Sequence, residues 1–220
     1  MTYAHSFLDG GPCALRPGKV VCVGRNYAAH ARELGNAVPE TPILFMKPAT
    51  AVVPLVAGVG IPAGRGECHH ETEITVLIGR TLRHASLADC HAAIAGLGLG
   101  LDLTLRDLQN ELKKKGHPWE VAKAFDGAAP LSAFLRPEGI DLADIRFSLA
   151  VNGEVRQRGH SADMITPILP LLAHISTIFT LEPGDVVMTG TPEGVAPLRN
   201  GDALVLEMDG LRVESAVVQG

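Results

Sequence analysis

Two glutamates that lie two residues apart carry the clearest chemistry in this chain. Glu71 and Glu73 belong to the stretch HHETEIT and lead into an apolar run over residues 74–78, which predicts a buried strand. Residues i and i+2 of a strand point to the same face, and two carboxylates on one buried face repel each other unless a cation lies between them. Oxygen ligands suit a hard ion such as Mg²⁺ or Mn²⁺. The alternative is a solvated edge strand with two surface glutamates, since glutamate is mostly exposed in proteins.

A third carboxylate interrupts a second apolar run. Asp102 lies in residues 99–103, which are otherwise apolar or glycine. A lone carboxylate in such a run is costly to bury without a partner. Asp102 is therefore the natural third oxygen ligand for an ion held by Glu71 and Glu73.

A histidine and a glutamate are neighbours on a predicted helix over residues 28–34. His30 and Glu33 are at positions i and i+3, which adjoin on a helix surface. A carboxylate beside an imidazole orients the ring and raises its basicity, which is what a general base requires. The alternative is an ordinary surface helix that carries both residues by chance.

Other polar residues could reach the same cleft. Lys47 ends a predicted strand, where its ammonium could meet an anionic ligand or face water. Arg106 and Gln109 follow Asp102 closely and could line the cleft beside it. Lys123 lies in an amphipathic stretch, where an exposed lysine is the commoner case. The turn TGTPEGV follows a strand and could present backbone N–H groups and hydroxyls to an anion.

Local signals predict several helix ends and turns. Ser86 and Asp89 form a capping-box pattern at the start of a helix that extends to about Ala95. Asn152–Gly153 and Asp209–Gly210 predict two hairpins. Together, the strands and short helices indicate a β-rich α+β protein.

The segment that follows Asp102 predicts another helix. Thr104 is in position to cap it, with Asp107 three residues later. The run of lysines 113–115 lies in the last turn before Gly116, where positive charge suits the helix dipole.

Composition limits the possible partners. The 220 residues carry 19 basic and 24 acidic side chains, a net charge of −5, so nucleic acid is not an expected partner. The chain lacks an apolar run near the roughly 20 residues that span a bilayer, so we expect no membrane partner. The four cysteines show no CxxC spacing and fit free thiols in a reducing cytoplasm. We expect a cytoplasmic protein with a short N-terminal lead-in (1–18) and one catalytic domain (19–220).

Six stretches taken together resemble the fumarylacetoacetate hydrolase family, and in particular its short single-domain members. They are VCVGRNYAAHARELG, PILFMKP, HHETEITVLIG, LDLTLRDLQNELKKKGHPWEVAKAFD, VNGEVRQ and MTGTPEGV, in this order along the chain. The sequence is most similar to the acylpyruvase, oxaloacetate decarboxylase and fumarylpyruvate hydrolase branch. The resemblance implies a mixed β-roll with several sheet layers and a few short helices, and a homodimer.

The resemblance also implies roles for individual residues. It implies a Mg²⁺ or Mn²⁺ site at Glu71, Glu73 and Asp102, and a His30–Glu33 dyad that activates a water from a segment acting as a lid. Lys123 would stabilise developing enolate charge. The residues implied for the substrate pocket are Arg25, Lys47, Arg106, Gln109 and Thr191.

The residues and the resemblance lead to the same reaction class. We expect cleavage of a C–C bond in a 2-oxo acid with a β-carbonyl, by acylpyruvate or fumarylpyruvate hydrolysis or by oxaloacetate decarboxylation, through a metal-stabilised enolate. The partner would be a small 2-oxo acid or diacid. One alternative is an isomerase, decarboxylase or tautomerase of an unsaturated 2-hydroxy dicarboxylate in aromatic catabolism. Another is a non-catalytic protein that binds a dicarboxylate.

Overall fold

The structure, a computed structural model, describes residues 3–219 and is rich in strands, as predicted. The strands are β1 (Val20–Gly24), β2 (Ile43–Lys47), β3 (Val52–Pro54), β4 (Val59–Ile61), β5 (Cys68–His70), β6 (Thr72–Ile78), β7 (Ile94–Leu101), β8 (Thr104–Leu105), β9 (Ala129–Leu131), β10 (Arg146–Val151), β11 (Glu154–His160), β12 (Val186–Met188), β13 (Ala196–Pro197), β14 (Ala203–Met208) and β15 (Leu211–Gln219). The α-helices are α1 (Ala28–Glu33), α2 (Leu87–Ala92), α3 (Arg106–Lys115), α4 (Glu120–Lys123) and α5 (Ile168–Ile178).

A mixed seven-stranded sheet forms the centre of the molecule, in the order β2-β1-β12-β6-β7-β9-β3. Every residue of β6 is buried, because the strand lies between β12 and β7 and is covered on both faces. β6 and β7 pair in antiparallel register, with Thr72 opposite Leu101 and Glu73 opposite Gly100. This register brings the start of β6 beside the end of β7.

Two smaller sheets complete the β structure. One has five strands in the order β11-β10-β14-β15-β4, and the other has three in the order β13-β5-β8. Both predicted hairpins are present, at the β10–β11 and β14–β15 connections. Asn152 and Gly153 have φ of 52° and 80°, the positive values that a two-residue turn of type I′ requires.

The predicted helix ends are correct in part. The Ser86–Asp89 capping box is present, but its helix ends at Ala92 because the chain then enters β7. The prediction that Thr104 caps α3 is wrong. Thr104 lies in β8, where β5 supplies its pairing partner, and its hydroxyl donates to the Asp102 carbonyl.

The N-terminal segment is attached to the sheets. Phe7 forms a bridge with Phe134, and His5 Nε2 lies 2.9 Å from the carbonyl oxygen of Gly184.

The apolar side chains of β1, β6, β7 and β12 make up much of the hydrophobic core. Among the helices of residues 3–219, none combines the length and the apolar character that crossing a membrane requires.

Candidate active site

Glu71, Glu73 and Asp102 form a buried acidic cluster, whose ligand oxygens all lie within 4.8 Å of one another. Glu71 lies just before β6, rather than within the strand as predicted, and Glu73 is the second residue of that strand. Asp102 follows the last residue of β7, and its N–H donates to the Glu71 carbonyl at 2.8 Å. The β6–β7 register therefore sets the distances between the three carboxylates.

The electrostatics of the acidic cluster fit a divalent cation. Burial and the negative charges of Asp102 and Glu71 raise the pKa of Glu73 well above its usual value. Burial would also raise the pKa of Glu71, but the cationic groups of Lys123 and Arg106 outweigh it and lower that pKa. Three buried carboxylates with oxygen donors this close are the donor set that Mg²⁺ or Mn²⁺ prefers.

Lys123 lies at the acidic cluster and is buried, unlike the exposed lysine that its stretch of sequence would favour. Its Nζ is 2.8 Å from Glu71 Oε2 and 2.7 Å from Asp102 Oδ2. Burial would lower the pKa of Lys123, but the charges of Asp102 and Glu71 raise it, so the group remains an ammonium. The ammonium can therefore stabilise negative charge that develops beside the cluster.

Lys47 does not line the cavity, which differs from the pocket role implied by the resemblance. It is fully buried, and its Nζ lies 2.8 Å from Asp102 Oδ1. The same ammonium donates to the carbonyls of Leu103 at 3.3 Å and Ala128 at 2.9 Å, and to the carbonyl of Lys123. Lys47 therefore holds Asp102 and the backbone around it in place from the side that faces away from the cavity.

The His30–Glu33 pair is formed on α1. His30 Nδ1 lies 3.4 Å from Glu33 Oε2, and the Gly194 N–H donates to Glu33 Oε1 at 3.0 Å. Because a carboxylate accepts hydrogen bonds, the pairing with Glu33 places the imidazole proton on Nδ1. His30 is buried and lines the cavity, so its other nitrogen is available to abstract a proton there.

Arg106 and Gln109 are neighbours on α3, as their spacing predicted. Arg106 Nη1 donates to Gln109 Oε1 at 2.8 Å, and Arg106 Nη2 donates to Glu71 Oε1. Arg106 therefore connects α3 to the acidic cluster.

A small cavity lies over the acidic cluster and has a volume of about 40 Å³. A space of this size holds a few water molecules. Its polar and charged lining residues are Arg25, His30, Asn36, Glu71, Glu73, Asp102, Arg106, Gln109, Lys113, Lys123 and Thr191. Of the eleven site residues proposed from sequence, the structure brings all but Lys47 and Glu33 to this lining. Glu33 does not line the cavity itself but contacts His30, which does.

The sequence predicts only an interaction of Lys113 with the helix dipole, yet Lys113 lines the cavity. The sequence does not reveal this position directly, because Asn36 and Arg25, the neighbours of Lys113 in the cavity, come from a distant part of the chain. A signal was available in the helical spacing, because Lys113 is at i+4 from Gln109 and so shares its face.

Gln157 was also missed, although it belongs to the VNGEVRQ stretch. Its Oε1 lies 2.9 Å from His70 Nδ1 and accepts the Thr72 N–H at 3.0 Å. Its Nε2 donates to Thr191 Oγ1 at 2.8 Å and to the Pro192 carbonyl at 3.0 Å. This single buried amide therefore connects β6 to the turn TGTPEGV.

Comparisons with known proteins agree with this geometry. Residues 19–218 match the family model described as fumarylacetoacetate (FAA) hydrolase C-terminal. An oxaloacetate tautomerase of Escherichia coli (strain K12) is 50% identical over 218 residues, which cover 98% of this chain and 100% of the relative. The mitochondrial oxaloacetate tautomerase of Homo sapiens is 44% identical over 193 residues, 87% of each chain. The crystal structure of fumarylpyruvate hydrolase from Pseudomonas aeruginosa in complex with Mn²⁺ and pyruvate has a TM-score of 0.93 at 36% identity, covering 100% of this chain and 97% of that one.

Proposed function

The chain belongs to the fumarylacetoacetate hydrolase family, and we propose that it is a divalent-metal-dependent oxaloacetate tautomerase. The observation that carries this proposal is the buried acidic cluster with the Lys123 ammonium at its edge. A cluster of this kind suits a reaction in which a 2-oxo acid becomes an enolate. The 50% identical tautomerase of Escherichia coli supports the choice of oxaloacetate.

Glu71, Glu73 and Asp102 would hold the metal. When bound there, Mg²⁺ or Mn²⁺ supplies a Lewis acid for a chelating 2-oxo acid. The Mn²⁺ and pyruvate in the Pseudomonas aeruginosa relative support both the metal class and the ligand class.

The residues around the acidic cluster would move one proton. His30, held by Glu33, removes a proton from C3 of the substrate, and the electron pair of that C–H bond moves toward the keto oxygen. Lys123 stabilises the negative charge that develops on that oxygen. The His30 imidazolium then gives that proton to the oxygen, which yields the enol, and the reverse sequence restores the keto form.

Admission of a substrate would require α1 to move. The cavity holds only a few water molecules, whereas a four-carbon diacid is several times larger. His30 lies on α1, so movement of this segment opens the cavity and its return brings the base to C3. This is the lid that the family resemblance implies.

Hydrolysis of fumarylpyruvate or another acylpyruvate is the second candidate. The fumarylpyruvate hydrolase structure favours it, and so does the dyad, because His30 with Glu33 could activate a water. Decarboxylation of oxaloacetate needs no activated water and could occur in the same site.

A substrate panel tests these proposals. Keto–enol interconversion of oxaloacetate, and cleavage of fumarylpyruvate and acetylpyruvate, are followed with Mg²⁺, with Mn²⁺ and after complete removal of metal by EDTA. We expect metal-dependent acceleration of interconversion. Undiminished turnover without metal would rule out the role assigned to the acidic cluster.

The His30→Ala variant separates the two reactions that need proton transfer by His30, interconversion and hydrolysis, from decarboxylation. Loss of a general acid or base commonly costs about 10²–10⁴-fold in rate, so His30→Ala should reduce both interconversion and hydrolysis while sparing decarboxylation. His91→Ala is the matched control, because His91 is exposed on α2 and outside the cavity. If His30→Ala slowed interconversion, hydrolysis and decarboxylation equally, the proton-transfer role of His30 would be refuted.

Three further features stay predictions. They are the homodimer, the cytoplasmic location and the division into a lead-in (1–18) and one catalytic domain (19–220). Sedimentation equilibrium of the purified chain tests the first of these.

A further inference from the structure

The cavity has opposite charges on two sides. The acidic cluster forms one side, where Lys123 and Arg106 neutralise part of its charge. Arg25 and Lys113 line the cavity as well, but neither forms an ion pair with any residue between 3 and 219. Their charges are therefore available to a bound anion.

Lys113 differs from the two lysines that follow it. Lys114 and Lys115 are exposed, and Lys115 pairs with Glu111 one turn earlier on α3. Lys113 is only partly exposed, and its Nζ donates to Asn36 Oδ1 at 3.2 Å. Since Asn36 carries no charge, this contact fixes the position of the ammonium without neutralising it.

The surroundings of Lys113 disfavour its charge. Burial lowers the pKa of Lys113, and the positive charges of Arg25 and Arg106 lower it further. Cations that face one cavity repel each other, and an anion bound between them removes that cost.

Arg25 is held in an unusual backbone conformation. Its φ is 61°, in the left-handed region that non-glycine residues rarely adopt. The next residue fixes it there, because the Asn26 side chain donates to the carbonyls of Thr166 and Thr189 and accepts from the Thr166 N–H. Strain of this kind persists where the surrounding structure enforces it, and it is concentrated at ligand sites.

Arg106 serves a different purpose from these two cations. Its guanidinium is already engaged by the Glu71 carboxylate and by Gln109 Oε1. Arg25 and Lys113 are thus the cavity cations without a fixed anionic partner in the described part of the chain.

We propose that Arg25 and Lys113 bind the second carboxylate of the substrate and so select dicarboxylic over monocarboxylic 2-oxo acids. The proposal rests on the proposed function, because it requires a 2-oxo acid that is anchored at the acidic cluster by its first carboxylate and keto oxygen. The remaining carboxylate of such a diacid extends away from the cluster, toward the two cations.

The test compares one diacid with one monoacid. Oxaloacetate and acetylpyruvate are assayed with the wild-type protein, Lys113→Gln and the matched control Lys114→Gln. Loss of a hydrogen bond between charged groups should lower kcat/KM for oxaloacetate about tenfold to hundredfold, mainly through KM. Acetylpyruvate turnover should change by less than about threefold, and Lys114→Gln should leave both substrates unaffected.

A second variant guards against misfolding. Arg25→Asn removes the guanidinium but keeps a residue that tolerates positive φ, so it should show the same selective loss for oxaloacetate. A thermal melt confirms that each variant is folded.

The failures can be told apart. If the wild-type protein accelerates neither substrate, the proposed function is wrong and the selectivity proposal falls with it. Suppose instead that the wild-type protein is active and that both variants, Lys113→Gln and Arg25→Asn, are folded. If kcat/KM then falls equally for the two substrates, or falls for neither, the selectivity proposal alone is overturned.

Discussion

The position of Lys47 leads to a quantitative prediction about stability. The side chain is fully buried, its ammonium lies 2.8 Å from Asp102 Oδ1 as an ion pair, and it donates to three backbone carbonyls. In the Lys47→Met variant, a similar volume is filled, but Asp102 keeps only Lys123 of its two cationic partners and the three carbonyls lose their donor. The substitution should therefore lower the stability of the folded state as well as the catalytic activity.

The size of the effect follows from the burial. Removing one partner of a buried ion pair costs about 3–5 kcal/mol, because the other charge stays buried. For a domain of about 200 residues, each kcal/mol shifts Tm by about 2–4 °C. We expect Lys47→Met to lower Tm by about 6–20 °C.

A matched lysine provides the control. Lys115 pairs with Glu111 on the exposed face of α3, where an i,i+4 pair contributes about 0.3–0.5 kcal/mol. Lys115→Met should therefore shift Tm by no more than about 2 °C. Thermal denaturation followed by circular dichroism measures both variants in the same buffer.

The opposite result would restore the role implied by the family resemblance. If Lys47→Met kept its Tm within the shift of the control and only raised KM, Lys47 would act as a substrate ligand, and the inference drawn from its burial would be refuted.

Three further predictions concern other parts of the molecule. Saturating Mg²⁺ or Mn²⁺ should raise Tm, since a ligand at 100 times its Kd stabilises the native state by about 2.7 kcal/mol; EDTA should reverse this, and Glu73→Gln should abolish it. Gln157→Leu, which leaves Thr191 and its other partners without their amide, should lower the free energy of unfolding in urea by at least about 2 kcal/mol; a smaller loss would show that water replaces the amide. Burial lowers the pKa of His5, so the unfolded chain takes up a proton more readily, and stability should fall as pH drops below the ordinary imidazole value of about 6.5. Urea unfolding at several pH values measures that slope, which His5→Phe should reduce; an unchanged slope would assign it to other groups.

Features that depend on a few adjacent residues could be predicted from the sequence. The hairpin at Asn152–Gly153 needs only two positive φ values, and the Ser86–Asp89 capping box needs only its own four residues. The acidic cluster was accessible for a related reason. A carboxylate in an apolar run needs a partner if it is buried, whatever the fold. Asp102 could therefore be identified as a candidate ligand from the sequence alone.

Features decided by distant partners could not be predicted in this way. Lys47 and Lys123 resemble exposed lysines, and only the carboxylates of Glu71 and Asp102 make their burial favourable. Thr104 has the chemistry of a helix cap, but pairing with β5 places it in a strand instead. The backbone hydrogen bonds of a sheet outweighed one side-chain cap.

The acidic cluster and the two cations Arg25 and Lys113 belong to different parts of the fold, which has an evolutionary consequence. The carboxylates lie at the start of β6 and just after the end of β7, where a slip of one residue in the pairing would move Asp102 away from Glu71 and Glu73. Arg25 and Lys113 lie outside the sheets, at the approach to α1 and on α3. Mutations at these two positions can therefore change which acid is accepted while the reaction centre is inherited intact. We expect descendants of such a scaffold to diverge in substrate sooner than in chemistry.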